Sequence, residues 1–300
     1  MRQNLPVSQR ERTFPEHERL ISTTDLNSLI TYCNDAFVEI SGFTREELIG
    51  QPHNLVRHPD MPPGVFGHMW ETIKQGKPWM GIVKNRSKNG DYYWVSAYVT
   101  PIYENGRVAG YESVRSLPDE AQKRRAEKLY ARLREGKPPV PRLEYWTYDI
   151  IQSWPLILAG LLILGAHFVL SGPWLLGFIF VALFGLGSYQ LHAKSSLIRR
   201  TLAEHPKAFT SALVALTYTD SRGAQALLDM AMISEDARLQ TALTRIEDAG
   251  ANVKTHATRS ADLSRSGAKM LDQQRSETDQ SATAINQMAA TIQEVTHNVQ

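Results

Sequence analysis

The chain has 300 residues, of which 42% are hydrophobic and 21% are charged. Its net charge of +2 is small, and its basic residues form no cluster interleaved with aromatics, so we predict no nucleic-acid binding. The single cysteine, Cys33, excludes an internal disulfide and any multi-thiolate metal site, as expected in a reducing compartment. The uncharged apolar residues are concentrated between 151 and 191, so the segments must be interpreted separately.

The N-terminal part alternates short apolar runs with turn signals. Residues 1–19 lack the apolar core of a signal peptide, and we expect a flexible cap. Residues 20–116 contain the pairs Asn89-Gly90 and Asn105-Gly106, which are typical of hairpins. Five strands are predicted at Leu20 to Thr24, Ser28 to Tyr32, Trp79 to Arg86, Tyr92 to Tyr103 and Val108 to Arg115. Helices are predicted at Asp35 to Ile40, Thr44 to Leu48 and Pro63 to Lys74, which makes an α+β domain.

A helical linker is predicted over residues 117–150. The pattern from Leu117 to Arg134 indicates a solvated helix, with Pro118 at its first position and acidic residues at its N-terminal end. We expect its many charges to face solvent or a membrane surface.

Residues 151–191 contain no Asp, Glu, Lys or Arg. Two apolar runs flank Ser171-Gly172-Pro173, and each approaches the roughly 20 residues that a helix needs to span a bilayer. This pattern predicts a two-helix transmembrane hairpin; the alternative is a buried core hairpin. Basic residues on both flanks and none in the turn predict that both ends are cytoplasmic.

The C-terminal part is amphipathic. Residues 192–248 show this character on both sides of a turn at 220–223, and residues 249–300 continue a heptad pattern. One seam has Leu239, Ile246, Val253, Met288 and Val295, and the other has Leu243, Ala257, Leu271, Ile285, Ile292 and Val299. These heptads predict a dimeric coiled coil and therefore a homodimer. Since they run to Gln300 without a helix stop, we expect a longer helix to have been cut here.

The order of strands and helices in residues 20–116 resembles that of a PAS domain. The sequences NDAFVEISGFTREELIG and GIVKNRSKNGDYYWV strengthen this resemblance. Between them, QPHNLVRHPDMP, GHMW and KPWMG resemble the flavin-binding PAS domain of the bacterial aerotaxis receptor family. Residues 192–248 resemble a divergent HAMP domain, and SATAINQMAATIQEVTHNVQ resembles the adaptation helix of methyl-accepting chemotaxis proteins.

The resemblance to a PAS domain implies an apolar cavity between the sheet and the helices, and a set of apolar residues is placed to line it. These residues are Phe37, Ile40, Phe43, Val65, Phe66, Met69, Ile82, Val95 and Ala97. Several histidines and one aspartate lie nearby, but His53 and His58 lack the spacing that places ligands on one helix face, which argues against a metal site.

The resemblance to the aerotaxis receptor family implies a bound FAD and a set of contacts to it. These are Asn34, His53, Arg57, His58, Asp60, Trp79, Asn85 and Tyr93. Arg57 is expected on the phosphate or adenine side, Trp79 packed against the flavin and Asn85 at the ring edge. His58 and Asp60 have structural alternatives, since Asp is a favoured turn and cap residue. Trp79 and Tyr93 are alternatively core aromatics.

The architecture that follows is multidomain, with an α+β PAS sensor domain, a transmembrane hairpin, an all-α HAMP-like bundle and a dimeric coiled coil. By resemblance, the chain is a multi-pass protein of the bacterial inner membrane that senses redox state in the cytoplasm. It would relay this state to a chemotaxis histidine kinase and its coupling protein, and would not be an enzyme. The alternatives are a PAS receptor for haem or a small ligand and an anchored catalytic flavoprotein. Adduct photochemistry is disfavoured because PHNLVRHPD contains no cysteine.

Overall fold

The computed structural model describes residues 4–141, 158–162, 165 and 173–299. They divide into two compact units, Met1–Thr241 and Ala242–Gln300. The strands are β1 (Leu20–Asp25), β2 (Ile30–Cys33), β3 (Trp79–Arg86), β4 (Tyr92–Glu104) and β5 (Arg107–Ser116). The helices are α1 (Asp35–Ser41), α2 (Arg45–Leu48), α3 (Pro63–Lys74), α4 (Glu120–Arg134), α5 (Pro173–Glu204), α6 (Ala212–Tyr218) and α7 (Gly223–Val299), with a 3-10 turn at His53–Val56.

The five strands form one antiparallel sheet in the order β2-β1-β5-β4-β3. This confirms the predicted α+β domain, and the observed bounds of β3 and α3 equal the predicted ones. Asn105 and Gly106 have φ angles of 50° and 76°, so they form the two-residue turn that pairs β4 with β5. Strand β2 begins at Ile30, two residues later than predicted, since Ser28 has a positive φ and belongs to the preceding turn.

Side-chain caps set the beginnings of three helices. Asn34 caps α1 by accepting from the backbone N–H of Phe37, and Thr44 forms a capping box with Glu47 at α2. Helix α4 begins one residue after Asp119, which forms a capping box with Gln122. Asp119 therefore lies outside the helix that the sequence predicted to start at Pro118.

Both faces of the central strands are buried, and successive side chains along each strand point to opposite faces. Trp79, Gly81, Val83 and Asn85 of β3 pair across the strand with Val99, Ala97, Val95 and Tyr93 of β4 and lie on the inner face, toward α1 to α3. Met80, Ile82 and Lys84 lie on the outer face. Ile82, predicted to line the cavity, is therefore on the wrong side of the sheet.

The N-terminal segment covers one part of the outer face. Ser8 N–H donates to the carbonyl of Gly90 at 2.7 Å and Arg12 N–H to that of Tyr92 at 2.7 Å, while the guanidinium of Arg86 donates to the carbonyl of Pro6 at 2.8 Å. Glu11 and Tyr92 form a parallel bridge. The prediction of a flexible cap is wrong for these residues, because their backbone groups extend the pairing of β4.

Helices α4 and α6 cover another part of the outer face. The hydroxyl of Tyr130 donates to the carbonyl of Ile82, and the hydroxyls of Tyr218 and Ser96 lie 2.7 Å apart. Lys123 is also buried, with its ammonium 2.7 Å from Glu11 and 2.8 Å from Glu120. The predicted solvated helix is therefore an amphipathic one, whose apolar side packs on the sheet.

The predicted membrane hairpin, and with it the multi-pass inner-membrane location, must be corrected. Among the residues that the structure describes, no helix is both long enough and apolar enough to cross a membrane. Most of the first predicted span lies outside the described residues. The second falls in α5, where the apolar run is interrupted by glycines and continues into Lys194, Arg199 and Arg200.

The second unit, Ala242–Gln300, consists of the remainder of α7. The large apolar residues of this stretch are solvent-exposed within the described chain, among them Ile246, Val253, Leu271, Ile285 and Ile292. An amphipathic helix of this length without a partner is consistent with the heptad pattern, and the coiled coil stays a prediction.

Candidate functional site

A cavity of about 260 Å³ lies between the inner face of the sheet and the segment from Pro52 to Ile73. Strands β3, β4 and β5 contribute Trp79, Val83, Asn85, Ala97, Val99, Tyr111, Glu112, Ser113 and Arg115 to its wall. The opposite wall is formed by His53, Val56, Arg57, Phe66, Met69, Trp70 and Ile73, with Ser22 and Thr24 from β1. Asn27 and Asn54 also line it and are exposed, so they mark its opening.

Arg115 is the most buried cation of this cavity, with 3% of its surface exposed. Its guanidinium donates to the Nε2 atom of His53 at 2.7 Å and to the hydroxyl of Ser22 at 3.0 Å. Burial lowers the pKa of Arg115 to about 10, so the group stays charged at neutral pH. Because Nε2 accepts from Arg115, His53 is neutral and carries its proton on Nδ1. Burial and the nearby charge of Arg115 together lower the pKa of His53 to about 3.

Trp79 is one of four aromatic residues of the wall and is fully buried. Its indole N–H donates to the Nδ1 atom of His68 at 3.0 Å, which fixes the orientation of the ring. The ring extends along β3 and lies over Gly81, where any side chain would collide with it. The indole ring of Trp79 therefore occupies the space that a side chain at position 81 would fill.

Asn85 and Tyr93 are cross-strand partners at the far end of the inner face. The hydroxyl of Tyr93 is fully buried beside the side chain of Asn85, but no hydrogen bond of ordinary geometry reaches it among the described residues, and the buried hydroxyl of Ser113 has no partner there either. Burial raises the pKa of Tyr93 despite the proximity of Arg115 and of the Asn85 side chain, so this phenol is neutral. Buried polar atoms without partners cost about 1–3 kcal/mol each, and they are typical of sites that a ligand completes.

Arg57 lies at the half-buried rim of the cavity. Its guanidinium donates to the carbonyl of Met61 at 3.0 Å and lies over the ring of Phe66 at 4.1 Å. Its backbone forms an isolated bridge with Asn85. Within the described chain no carboxylate forms an ion pair with it, so it can accept an anionic group from outside.

Four of the predicted contacts, Asn34, His58, Asp60 and Tyr93, do not line the cavity. The side chain of Asn34 caps α1, accepts from the backbone N–H of Ile21 and donates to the carbonyl of Arg19. Asp60 forms an ion pair with Lys84 at 2.8 Å, and its backbone N–H donates to the Nδ1 atom of His58. Burial lowers the pKa of His58 to about 4, while its Nε2 atom is buried without a partner among the described residues.

Of the predicted contacts, the structure therefore brings His53, Arg57, Trp79 and Asn85 together around the cavity, with Tyr93 behind them. Sequence reasoning missed Ser22, Ser113 and Arg115. The signal was present in β5, where Tyr111, Ser113 and Arg115 alternate on one face of a strand with buried neighbours. Polar residues at alternate positions of a doubly buried strand indicate a lined cavity.

The donor set suits a flavin ring in three respects. The wall combines aromatic side chains with buried polar groups. The buried hydroxyls of Ser113 and Tyr93 can each form a further hydrogen bond. Arg57 lies near the opening. At about 260 Å³ the cavity is slightly smaller than typical ligand pockets, which are roughly 300–1,000 Å³. It matches one ring system, and the rest of a dinucleotide would lie at the opening.

Comparison with known proteins supports the PAS fold. Residues 30–115 match the model of the PAS fold. The aerotaxis receptor of Escherichia coli strain K12 is 50% identical over 131 residues, which are 44% of this chain and 26% of that receptor. A nitrogen fixation regulatory protein of Klebsiella pneumoniae is 34% identical over 82 residues, 27% of this chain and 17% of that protein.

A solved PAS domain from Colwellia psychrerythraea is 27% identical, with a TM-score of 0.29 over 33% of this chain and 86% of that one. The chain spans about a quarter or less of the length of the two curated relatives. Residues 30–115 thus have the PAS fold, in a chain that is similar over 131 of its residues to an aerotaxis receptor.

Proposed function

We propose that residues 20–116 bind FAD and that the chain is an aerotaxis or energy-taxis transducer. The observation that carries this proposal is the cavity on the inner face of the sheet, whose aromatic residues and buried, unpartnered Ser113 hydroxyl suit a flat, polar-edged ligand. The 50% identity to an aerotaxis receptor over 131 residues supports the same conclusion. The proposal treats the chain as a sensor and not as an enzyme.

In this proposal each lining residue has one task. Trp79 packs against a ring face, and Asn85 with Tyr93 hydrogen-bonds its polar edge. Arg57 pairs with the phosphates at the opening, and His53 holds Arg115 in place. Asn34, His58 and Asp60 act indirectly, by positioning α1 and the segment after Arg57. Bound FAD would supply reversible electron transfer, which makes the site sensitive to the redox state of a donor.

The signal would leave the domain through the outer face of the sheet. Asn85 and Ser96 lie on adjacent strands, and the hydroxyl of Ser96 bonds to that of Tyr218 at the end of α6. Arg125 of α4 donates to the carbonyl of Tyr218 at 2.8 Å, and α7 begins five residues later. We propose that a change of hydrogen bonding at Asn85 shifts this contact between two arrangements and so biases α7.

The output would be a dimer that controls a chemotaxis histidine kinase through a coupling protein. The exposed apolar residues of α7 at heptad spacing support pairing with a second copy. The proposed domains are a cap (1–19), the PAS domain (20–116), a linker (117–150), a HAMP-like segment (192–248) and the start of a signalling coiled coil (249–300).

The visible spectrum of the purified chain tests the cofactor. We expect flavin absorption bands, and FAD in the supernatant after denaturation. A strong Soret band without flavin would instead support the haem alternative. A chain purified with neither, which also fails to bind added FAD, would refute the proposal. Rapid turnover of a supplied electron donor that survives deletion of residues 249–300 would favour a catalytic flavoprotein.

A further inference from the structure

Arg115 is the most unusual charge in the described chain. It is buried in the cavity wall at 3% exposure, and no carboxylate of the described residues forms an ion pair with it. An unpaired buried cation is costly, because desolvation is not repaid by an opposite charge. Proteins retain such a group when something outside the chain supplies the missing charge.

The partners of Arg115 compensate for only part of its charge. His53 and Ser22 accept from one side of the guanidinium, and both are neutral. The carbonyls of Leu20 and Ser113 lie 3.4 Å from its other amino group, at the limit of hydrogen bonding. The ring of Phe37 lies 5.1 Å from the guanidinium and adds a modest cation–π attraction.

The vicinity of Arg115 has further capacity for hydrogen bonding. The hydroxyl of Ser113, on the same face of β5, is buried without a partner among the described residues, and so is that of Tyr93. Ser113 and Arg115 line the cavity together with one buried acidic residue of the same strand, Glu112. A guanidinium next to unsatisfied hydroxyls is the arrangement by which proteins bind anionic or electron-rich oxygen and nitrogen atoms.

We propose that Arg115, held by His53 and Ser22, is an anion-recognising corner of this cavity. Its ligand would be a ring-sized heteroaromatic group that carries, or gains, negative charge at the edge facing β5. This inference rests on the proposed function for the identity of the ring. Reduction of a flavin ring by two electrons with uptake of one proton leaves a net negative charge, whereas uptake of a second proton leaves it neutral. Arg115 therefore favours the singly protonated, anionic reduced form.

The test compares the binding of oxidised FAD and of dithionite-reduced FAD to the flavin-free full chain. In the wild type and in Arg115→Lys the reduced form binds at least as tightly as the oxidised form. Arg115→Gln loses at least tenfold more affinity for reduced FAD than for oxidised FAD. This factor lowers the midpoint potential of the bound couple by about 30 mV.

Two further variants separate charge from packing. Arg57→Gln removes the cation at the opening and weakens both forms of FAD by the same factor, as expected for a phosphate contact. Ser113→Ala removes a polar group beside Arg115 but keeps the charge, and it therefore changes the two affinities by similar factors. The comparison uses variants whose circular dichroism and thermal midpoint match the wild type; if Arg115→Gln fails to fold, Arg115→Met replaces it as a neutral side chain of similar length.

Equal weakening of both forms in Arg115→Gln overturns this inference and leaves the FAD proposal intact. If the wild-type chain binds neither form, the FAD proposal fails, and a matched pair of probes decides the inference alone. Benzoate and benzamide have the same ring and differ in charge, and ligand-observed NMR measures their binding. We expect a preference for benzoate in the wild type and in Arg115→Lys that is lost in Arg115→Gln. No such preference in the wild type would refute the anion-recognising corner.

Discussion

Trp79 and Gly81 occupy successive positions on the inner face of β3, and the large side chain of Trp79 fits only because Gly81 has none. The indole ring lies where a side chain at position 81 would project, and its N–H is fixed by His68. Because Trp79 belongs to the cavity wall, the absence of a side chain at Gly81 is what allows the indole ring to lie against the sheet there.

We expect Gly81→Ala to destabilise the fold by about 1–3 kcal/mol, since the new methyl group forces the buried ring off its rotamer. Urea unfolding monitored by far-UV circular dichroism measures this. Gly67→Ala is the matched control, because Gly67 lies in α3 with nothing near its absent side chain, and alanine is preferred to glycine in a helix by about 1 kcal/mol. A Gly81→Ala chain as stable as the wild type would contradict the described position of Trp79.

Because of His53 and His58, we expect the free energy of unfolding to fall as the pH drops below about 6.5. Burial is the main cause that lowers their pKa values in the folded chain, to about 3 and about 4, whereas the unfolded values lie near 6.5. Stabilisation by the neutral imidazoles is thus complete above pH 6.5 and is lost as the pH falls, by about 1.4 kcal/mol per pH unit for each histidine.

Urea unfolding at pH 7.5 and pH 5.5 measures this loss. In His58→Asn, whose amide oxygen can replace Nδ1 as the acceptor for Asp60 N–H, the loss between these two pH values is reduced. The exposed His17 provides the control, because His17→Asn leaves both buried imidazoles in place. Equal losses in the wild type and in His58→Asn would show that His58 does not contribute.

At the scale of elements, α6 is the short helix that connects the sheet to the long helix α7. Its last residue, Tyr218, is buried, and its hydroxyl lies 2.7 Å from that of Ser96 on the outer face of β4. Arg125 of α4 contacts the same helix end through the carbonyls of Thr217 and Tyr218. Three elements that are far apart in sequence therefore meet at one buried polar contact.

Tyr218→Phe leaves the hydroxyl of Ser96 buried without a partner, and we expect a loss of about 1–3 kcal/mol in the free energy of unfolding. A double-mutant cycle with Ser96→Ala isolates the contact, and the coupling energy should reach about 1 kcal/mol. Tyr103→Phe is the control, since the Tyr103 hydroxyl bonds at an exposed site. A coupling energy near zero would show that α6 does not rest on β4 in solution.

The bounds of strands and helices followed from the sequence more closely than the assignment of faces. Turn glycines, caps and alternating apolar residues predicted β3 and α3 to the residue. They did not distinguish inner from outer residues, because α4, α6 and the N-terminal segment bury the second face of the sheet. Ile82 was therefore placed in the cavity, while Arg115 was missed, since a charged strand residue is ordinarily expected to be exposed.

At the scale of the whole molecule, the second unit is a helix whose apolar residues are exposed. The exposed fractions of Leu271 and Ile285 are 67% and 64%. Exposure of this kind along a heptad pattern is what a dimer removes. The heptad pattern could be predicted from the sequence, whereas the second helix that would cover it belongs to another copy of the chain.

Leu271→Lys combined with Ile285→Lys should convert a dimer into a monomer, since each lysine would place a charge in the seam. Sedimentation equilibrium measures the molecular mass. Ser276→Lys combined with Thr283→Lys is the control with equal added charge at exposed positions outside the two predicted seams, and it should remain dimeric. If the wild-type chain sediments as a monomer of 33.8 kDa, the proposed coiled coil is wrong.

The amide of Asn4 donates to the carbonyls of Asn54 and Arg57, at 2.8 and 2.9 Å. Since Asn54 marks the opening of the cavity, the rim of the cavity is built from Asn4 together with the middle of the domain. Sequence added before Asn4 would consequently be joined to a residue that forms part of this rim. A tag at the N-terminal end can therefore change ligand binding, and proteins tagged at opposite ends need not have the same ligand occupancy.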